Sequence, residues 1–157
     1  MGRKSFNEKL QDSKDIPKIV EVTDEKSVER YGGTQMLIAP PLEYSELMSE
    51  IPEGKVITIK EIREFLAKKH DAEFTCPLTA GIFISLSAQA SCERSDDRIP
   101  FWRTLKSDGE LNPKYPGGIK YQKEKLASEG HTFKTRGRKN IRYFVEDYED
   151  AIYDLTS

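Results

Sequence analysis

A chain of 157 residues, 36% hydrophobic and 33% charged, is long enough for one lean core and too short for two comfortable domains. A net charge of −2 excludes a polycation, and no apolar run approaches the length that crosses a bilayer. The opening residues lack the apolar stretch of a secretory signal, and Phe6 stands where the myristoylation pattern wants Ser or Thr. Without a signal, Cys76 and Cys92 imply free thiols in a reducing compartment, so the expected location is cytoplasmic.

Residues 1 to about 35 are polar, mixed in charge and punctuated by Pro17 and Tyr31-Gly32-Gly33. They read as a loosely ordered extension with room for one short helix. The chain therefore divides into an N-terminal extension, 1–41, and a folded domain, 42–157. "QMLIAPP" predicts a short extended segment closed by two prolines. "PLEYSELMSEIPEG" predicts a helix opened by Pro41 and ended before Pro52. In "TIKEIREFLAKKH", Thr58 and Glu61 form a capping box, Ile59, Ile62, Phe65 and Leu66 make one stripe, and Lys68 and Lys69 suit the helix end. After a short connection, "CPLTAGIFISLSAQAS" predicts a buried helix from Pro77 to about Ala90. Two helices so joined are compatible with a helix-turn-helix.

"IPFWRTLKSDGEL" reads as strand and turn, and holds Trp102, the single tryptophan. "NPKYPGG" is a loop, and "IKYQKEKLASEG" a helix stopped by Gly130. "HTFKTRGRKNIRYFVEDY" reads as a hairpin turning near Gly137, with Ile141, Tyr143 and Val145 on one face. From Thr132 to Val145 the chain carries Lys134, Arg136, Arg138, Lys139 and Arg142 with no acid, while the tail from Glu146 carries only acids. The basic run can bind a polyanion, pair with the tail, or be a plain solvated hairpin.

In order, "IPEGKVITIKEI", "PLTAGIFISL", "IPFWRTLKSDGEL" and "YPGGIKYQKEKLASEGH" resemble the DNA-binding domain of alkylguanine–DNA alkyltransferases and of the shorter alkyltransferase-like proteins. The resemblance spans roughly residue 42 to residue 131. It implies an α+β winged helix-turn-helix domain with a C-terminal β-hairpin. Laid on the family's Pro-Cys-His-Arg strand, this chain reads Pro100, Phe101, Trp102, Arg103. A thiol attacks only when a base or positive field makes it a thiolate. Phe101 offers no lone pair and Trp102 no base, so alkyl transfer by the family mechanism is excluded. Glu129 matches the family's partner glutamate, and Arg103 its structural arginine.

Alkyltransferase-like proteins also lack the cysteine and bind alkylated DNA, which makes Phe101 and Trp102 candidate walls of a base pocket. The family's base-flipping tyrosine aligns with Ile59 and its finger arginine with Leu78. No Lys or Arg occurs from Leu78 through Ser91, so this helix cannot neutralise phosphate, though Thr79, Gly81 or Ser87 could approach a groove. Leu78 reads as core ahead of an apolar wedge. Cys76 at the start of the second helix is read as a small buried hydrophobe rather than a reactive thiol. His70, Cys76, Cys92 and His131 match no zinc spacing. The expectation is a non-enzymatic DNA-binding protein with double-stranded DNA as partner and no cofactor. Phe101, Trp102, Leu78 and Ile59 would form its base pocket, and Lys134, Arg136, Arg138, Lys139, Arg142, Thr79 and Ser87 its backbone contacts. The runner-up is a winged-helix interaction or regulatory module that has lost DNA binding.

Overall fold

The computed structural model describes residues 5–12, 15–96 and 98–155; the rest, including the first four residues of the predicted extension, lie outside it. Local end signals set the first helices. Ser5 accepts the Glu8 amide at 3.1 Å to open α1 (Phe6–Gln11), and Asp24 accepts that of Ser27 at 3.1 Å to open α2 (Glu25–Tyr31). Between and after them run β1 (Lys18–Glu21) and β2 (Gln35–Ile38), paired antiparallel. β2 then pairs in parallel with β4 (Phe74–Thr75), joining the first forty residues to the rest. The loosely ordered extension with one short helix is thus corrected to two helices and a strand, β1, while β2 falls in the extended segment that "QMLIAPP" predicts. The cause is nonlocal pairing, together with burial of Leu10 and Leu37.

α3 (Pro41–Ser49) starts on its proline as predicted and buries Tyr44, Leu47 and Met48. β3 (Ile57–Thr58) leads directly into α4 (Ile59–Lys69), where the Thr58 amide and hydroxyl both donate to the Glu61 carboxylate. Residues 70–76 follow, and then α5 (Pro77–Glu93), which runs three residues beyond the predicted end. α1 lies along α5: the Glu93 carboxylate accepts the Phe6 and Asn7 amides at 3.0 Å each. Leu66, Ile84 and Ala88 meet Tyr44 and Met48 in the main core. Among the described residues no helix is long and apolar enough to cross a membrane.

Beyond α5 the predicted strand is replaced. Phe101–Arg103 form a single 3-10 turn, closed by the Arg103 amide on the Pro100 carbonyl at 3.1 Å. Only Thr104–Leu105 extend, as β5, parallel to β3. α6 (Gly118–Ser128) ends as the sequence indicates, with Gly130 at φ +97° and the His131 amide returning to Leu126. β6 (Phe133–Arg136) and β7 (Arg142–Val145) form the C-terminal hairpin. Its turn requires Gly137, where an added Cβ would lie 2.4 Å from the Asn140 carbonyl. The alternation expected of β7 is incomplete. Phe144 bridges to Glu110 on one side while Val145 packs with Leu111 and Leu126 on the other, so both are buried and Ile141 is exposed. The last segment returns to β3, the Tyr153 amide donating to Val56 at 2.8 Å. The whole is an α+β architecture of six helices and three small sheets among the described residues.

Candidate nucleic-acid interface

The 3-10 turn throws the rings of Phe101 and Trp102 to different neighbours. Phe101 is 3% exposed, with its ring 5.4 Å from Tyr115, 5.6 Å from Trp102 and 6.0 Å from Tyr121. The base pocket expected there is filled by the chain's own aromatics, because the loop before α6 delivers Tyr115 and the helix delivers Tyr121. Tyr115 is itself fixed, its phenol donating to the Thr104 carbonyl at 2.8 Å. Burial pushes that phenol's pKa up, which keeps it a neutral donor. Trp102 is half-buried and bordered by the Lys125 ammonium, 4.9 Å from its ring.

Glu129 organises this corner. Its carboxylate accepts from Trp102 Nε1 at 3.0 Å and from Arg103 Nη2 at 2.7 Å, while Arg103 Nη1 reaches the Ile51 carbonyl at 2.7 Å. Burial alone would raise this carboxyl, but the Arg103 and Trp102 bonds hold it below its ordinary value. The residue that aligns with a catalytic relay is here a bracket between a tryptophan and an arginine. His131, close enough to feel both Glu129 and Arg103, is pushed down by burial and favours its neutral form. Neither side chain at 101 or 102 can act as nucleophile or base.

α5 presents the opposite picture. Ile84, Ser87, Ala88 and Ser91 turn inward, and this side meets α1 and α3. Leu78 and Ile82, one turn apart, face out at 71% and 53% exposure. Placing Leu78 in the core is therefore corrected. So is Ser87 as a backbone contact, since it is fully buried and its hydroxyl donates to the Phe83 carbonyl at 2.8 Å. Thr79 is half-buried, and Ile59 packs against the main core at the start of α4. Gly81, on the outward side, leaves open space where a side chain would stand. Leu78, Gly81 and Ile82 line a groove of about 660 Å³ shared with Phe6 and Lys9 of α1 and with Lys114. Sequence reasoning missed Lys9 and Lys114. No local pattern marks them, because the fold alone brings them to a helix that lacks cations. Lys114 also precedes Tyr115, so one loop joins this groove to the aromatic cluster.

On the hairpin, Lys134, Arg136, Arg138 and Lys139 are exposed and make no ion pair among the described residues. The Arg136 guanidinium lies 5.0 Å from the Phe144 ring. Arg142 differs: it bonds Glu110 at 2.6 and 3.0 Å and sits 3.5 Å from Asp108. The Arg142 bonds hold the Glu110 carboxyl below its ordinary value. Arg142 is thus an anchor rather than a free phosphate contact, and its acids come from the turn before Leu111, not from the tail. Leu111 continues the anchorage, its amide donating to Tyr143 at 2.9 Å.

No protein-family model matches the sequence, and no curated protein matches it. Solved structures of an alkyltransferase-like protein of S. pombe are similar. One is Atl1 in complex with damaged DNA containing O6-carboxymethylguanine, at 22% identity and a TM-score of 0.48, covering 73% of this chain and 94% of that one. Another is the S. pombe ATL in complex with DNA, at 20% identity and a TM-score of 0.45, with the same coverage.

Proposed function

We propose that the chain is a non-enzymatic, alkyltransferase-like DNA-binding protein, cytoplasmic, in which α4 and α5 act as the helix-turn-helix and the hairpin as its wing. The observation that carries the reading is the exposed edge of α5. Leu78 stands in solvent where the resembling family places its intercalating finger, beside the unobstructed Gly81. Lys9 and Lys114, which line the groove together with Asp12, supply the cations that α5 lacks. An apolar side chain can wedge a base step, and close backbone approach suits a minor groove. Lys134, Arg136, Arg138 and Lys139 add phosphate contacts. Because Phe101 is enclosed, an alkylated base would meet the half-buried Trp102 and the edge of Tyr121 rather than enter beneath Phe101.

The test is binding to duplex DNA with and without one alkylated guanine, across a salt series. Preference for the lesion is expected, with affinity falling as salt rises. Leu78→Asp, at an exposed position, should weaken binding at least about tenfold without unfolding the protein. Arg136→Ala with Arg138→Ala should flatten the log–log salt dependence by about two. Salt-sensitive binding without lesion preference would leave a plain DNA binder. No binding at low salt would overturn the reading altogether.

A second reading, an interaction module that no longer binds DNA, is favoured by one observation. The outward face of α5 pairs two exposed aliphatics with no charge of its own, which suits a protein surface better than phosphate. Retention of an apolar partner by the wild type but not by Leu78→Asp, in the absence of DNA binding, would establish it.

A further inference from the structure

A second groove lies away from the aromatic cluster and the hairpin. About 900 Å³ in volume, it runs between the end of α2, the outer face of α4 and the C-terminal segment 152–155. That size falls within the usual range for small-molecule sites. Its walls are aromatic: Tyr31 stacks on Phe74 with ring centres 5.2 Å apart, and Phe65 and Tyr153 line it as well. Arg63, projecting from α4, lines the groove too, and its Nε is shielded from solvent with no hydrogen-bond partner. Native structures rarely leave such a donor unanswered.

Charges of both signs line the groove. Its four carboxylates, Glu61, Glu64, Glu73 and Asp154, keep a formal negative charge, since the hydrogen bonds that Glu61 and Glu73 accept from Thr58 and Thr34 come from neutral donors. Against them stand Arg30, Lys60, Arg63 and Lys68, none in an ion pair among the described residues. The Arg30 guanidinium only lies 5.4 Å from the Tyr31 ring. The formal charges balance, but of the four cations Arg63 alone is not exposed, and its unpartnered Nε lies in a groove lined by rings.

We propose that this groove binds a small anion with a planar apolar body, its carboxylate or phosphate taken by Arg63 and its body held between the aromatic walls. An arginine donor suits either oxyanion, since both present paired oxygens to its planar fork. This inference is independent of the DNA reading, because the groove shares no residue with the hairpin and only Pro77 with the outward groove of α5.

The experiment is calorimetric titration of the full chain with two probes that share one apolar body, 1-naphthoate for the carboxylate and 1-naphthyl phosphate for the phosphate. Saturable one-to-one binding of at least one probe is expected, and which one binds decides the source. Arg63→Met should weaken it at least about tenfold, the loss of one charge-assisted hydrogen bond. Ala72→Trp, which fills the groove, should abolish it, and Leu78→Ala should leave it unchanged. If Arg63→Met does not fold by circular dichroism, Lys60→Gln combined with Lys68→Gln carries the charge test, with a weakening of at least about threefold expected. The proposal is overturned if neither probe binds the wild type, or if Ala72→Trp binds as the wild type does. It is overturned equally if the folded charge variant shows no loss.

Discussion

The turn at Phe101 and the first turns of α5 exchange the roles that their sequences indicate. The turn aligns with an active-site strand and reads as a pocket, yet Phe101 is 3% exposed and ringed by Tyr115, Trp102 and Tyr121. α5 reads as a buried helix, apolar on most sides, yet Leu78 is 71% exposed. A motif reports what a residue can do chemically. Its exposure is decided by which distant segments arrive to cover it.

The largest effect expected from breaking this contrast is on stability. Phe101→Ala should cost about 3–5 kcal/mol in urea unfolding, since it empties the centre of a ring cluster. Leu78→Ala should stay within about 0.5 kcal/mol. Comparable losses at the two positions would erase the distinction. Next in size, Glu129→Ala should cost about 3 kcal/mol, because Arg103 would be left partly buried without its partner. Glu129→Gln, still able to accept from Trp102 Nε1, should recover part of that loss. Trp102 fluorescence would shift in the alanine variant more than in the glutamine one.

The smallest effect sharpens the same corner through pH. Glu129 is held below its ordinary value of 4.5, so its stabilisation is present above that pH and lost as pH falls through the folded value. His131 is held below 6.5, so the unfolded chain takes up its proton first. Stability should therefore begin to fall as pH drops below about 6.5, before the carboxylates contribute. His131→Gln should remove this first part of the decline and leave the second. An unchanged profile between pH 6.5 and 4.5 in that variant would count against His131 as the source.

What the sequence discloses and what it hides divide along the range of the interactions involved. Thr58 with Glu61, Gly130 and Gly137 act within a few residues, and each marks its helix end or turn correctly. Leu78 and Ile84 could not be assigned to opposite sides in advance, because α5 is apolar around most of its circumference and has no stripe to orient it. Its facing is set by α1 and α3, and the hold on α1 comes from Glu93, more than eighty residues from Phe6. The pairing of β2 with β4 is equally remote, which is why a polar N-terminal stretch reads as an appendage. Among the site residues, the chemistry of Phe101 and Trp102 was legible and their enclosure was not. The free cations of the hairpin were legible too, whereas the capture of Arg142 by Glu110 was not.

The bracket that Glu129 makes between Trp102 and Arg103 has a consequence for redesign. Writing a cysteine at 101 and a histidine at 102 would reproduce the letters of an alkyltransferase strand but not its machine. Two rings would leave a packed interior, and the glutamate would still be committed to Arg103. The double substitution would cost folding stability before it could yield a thiolate.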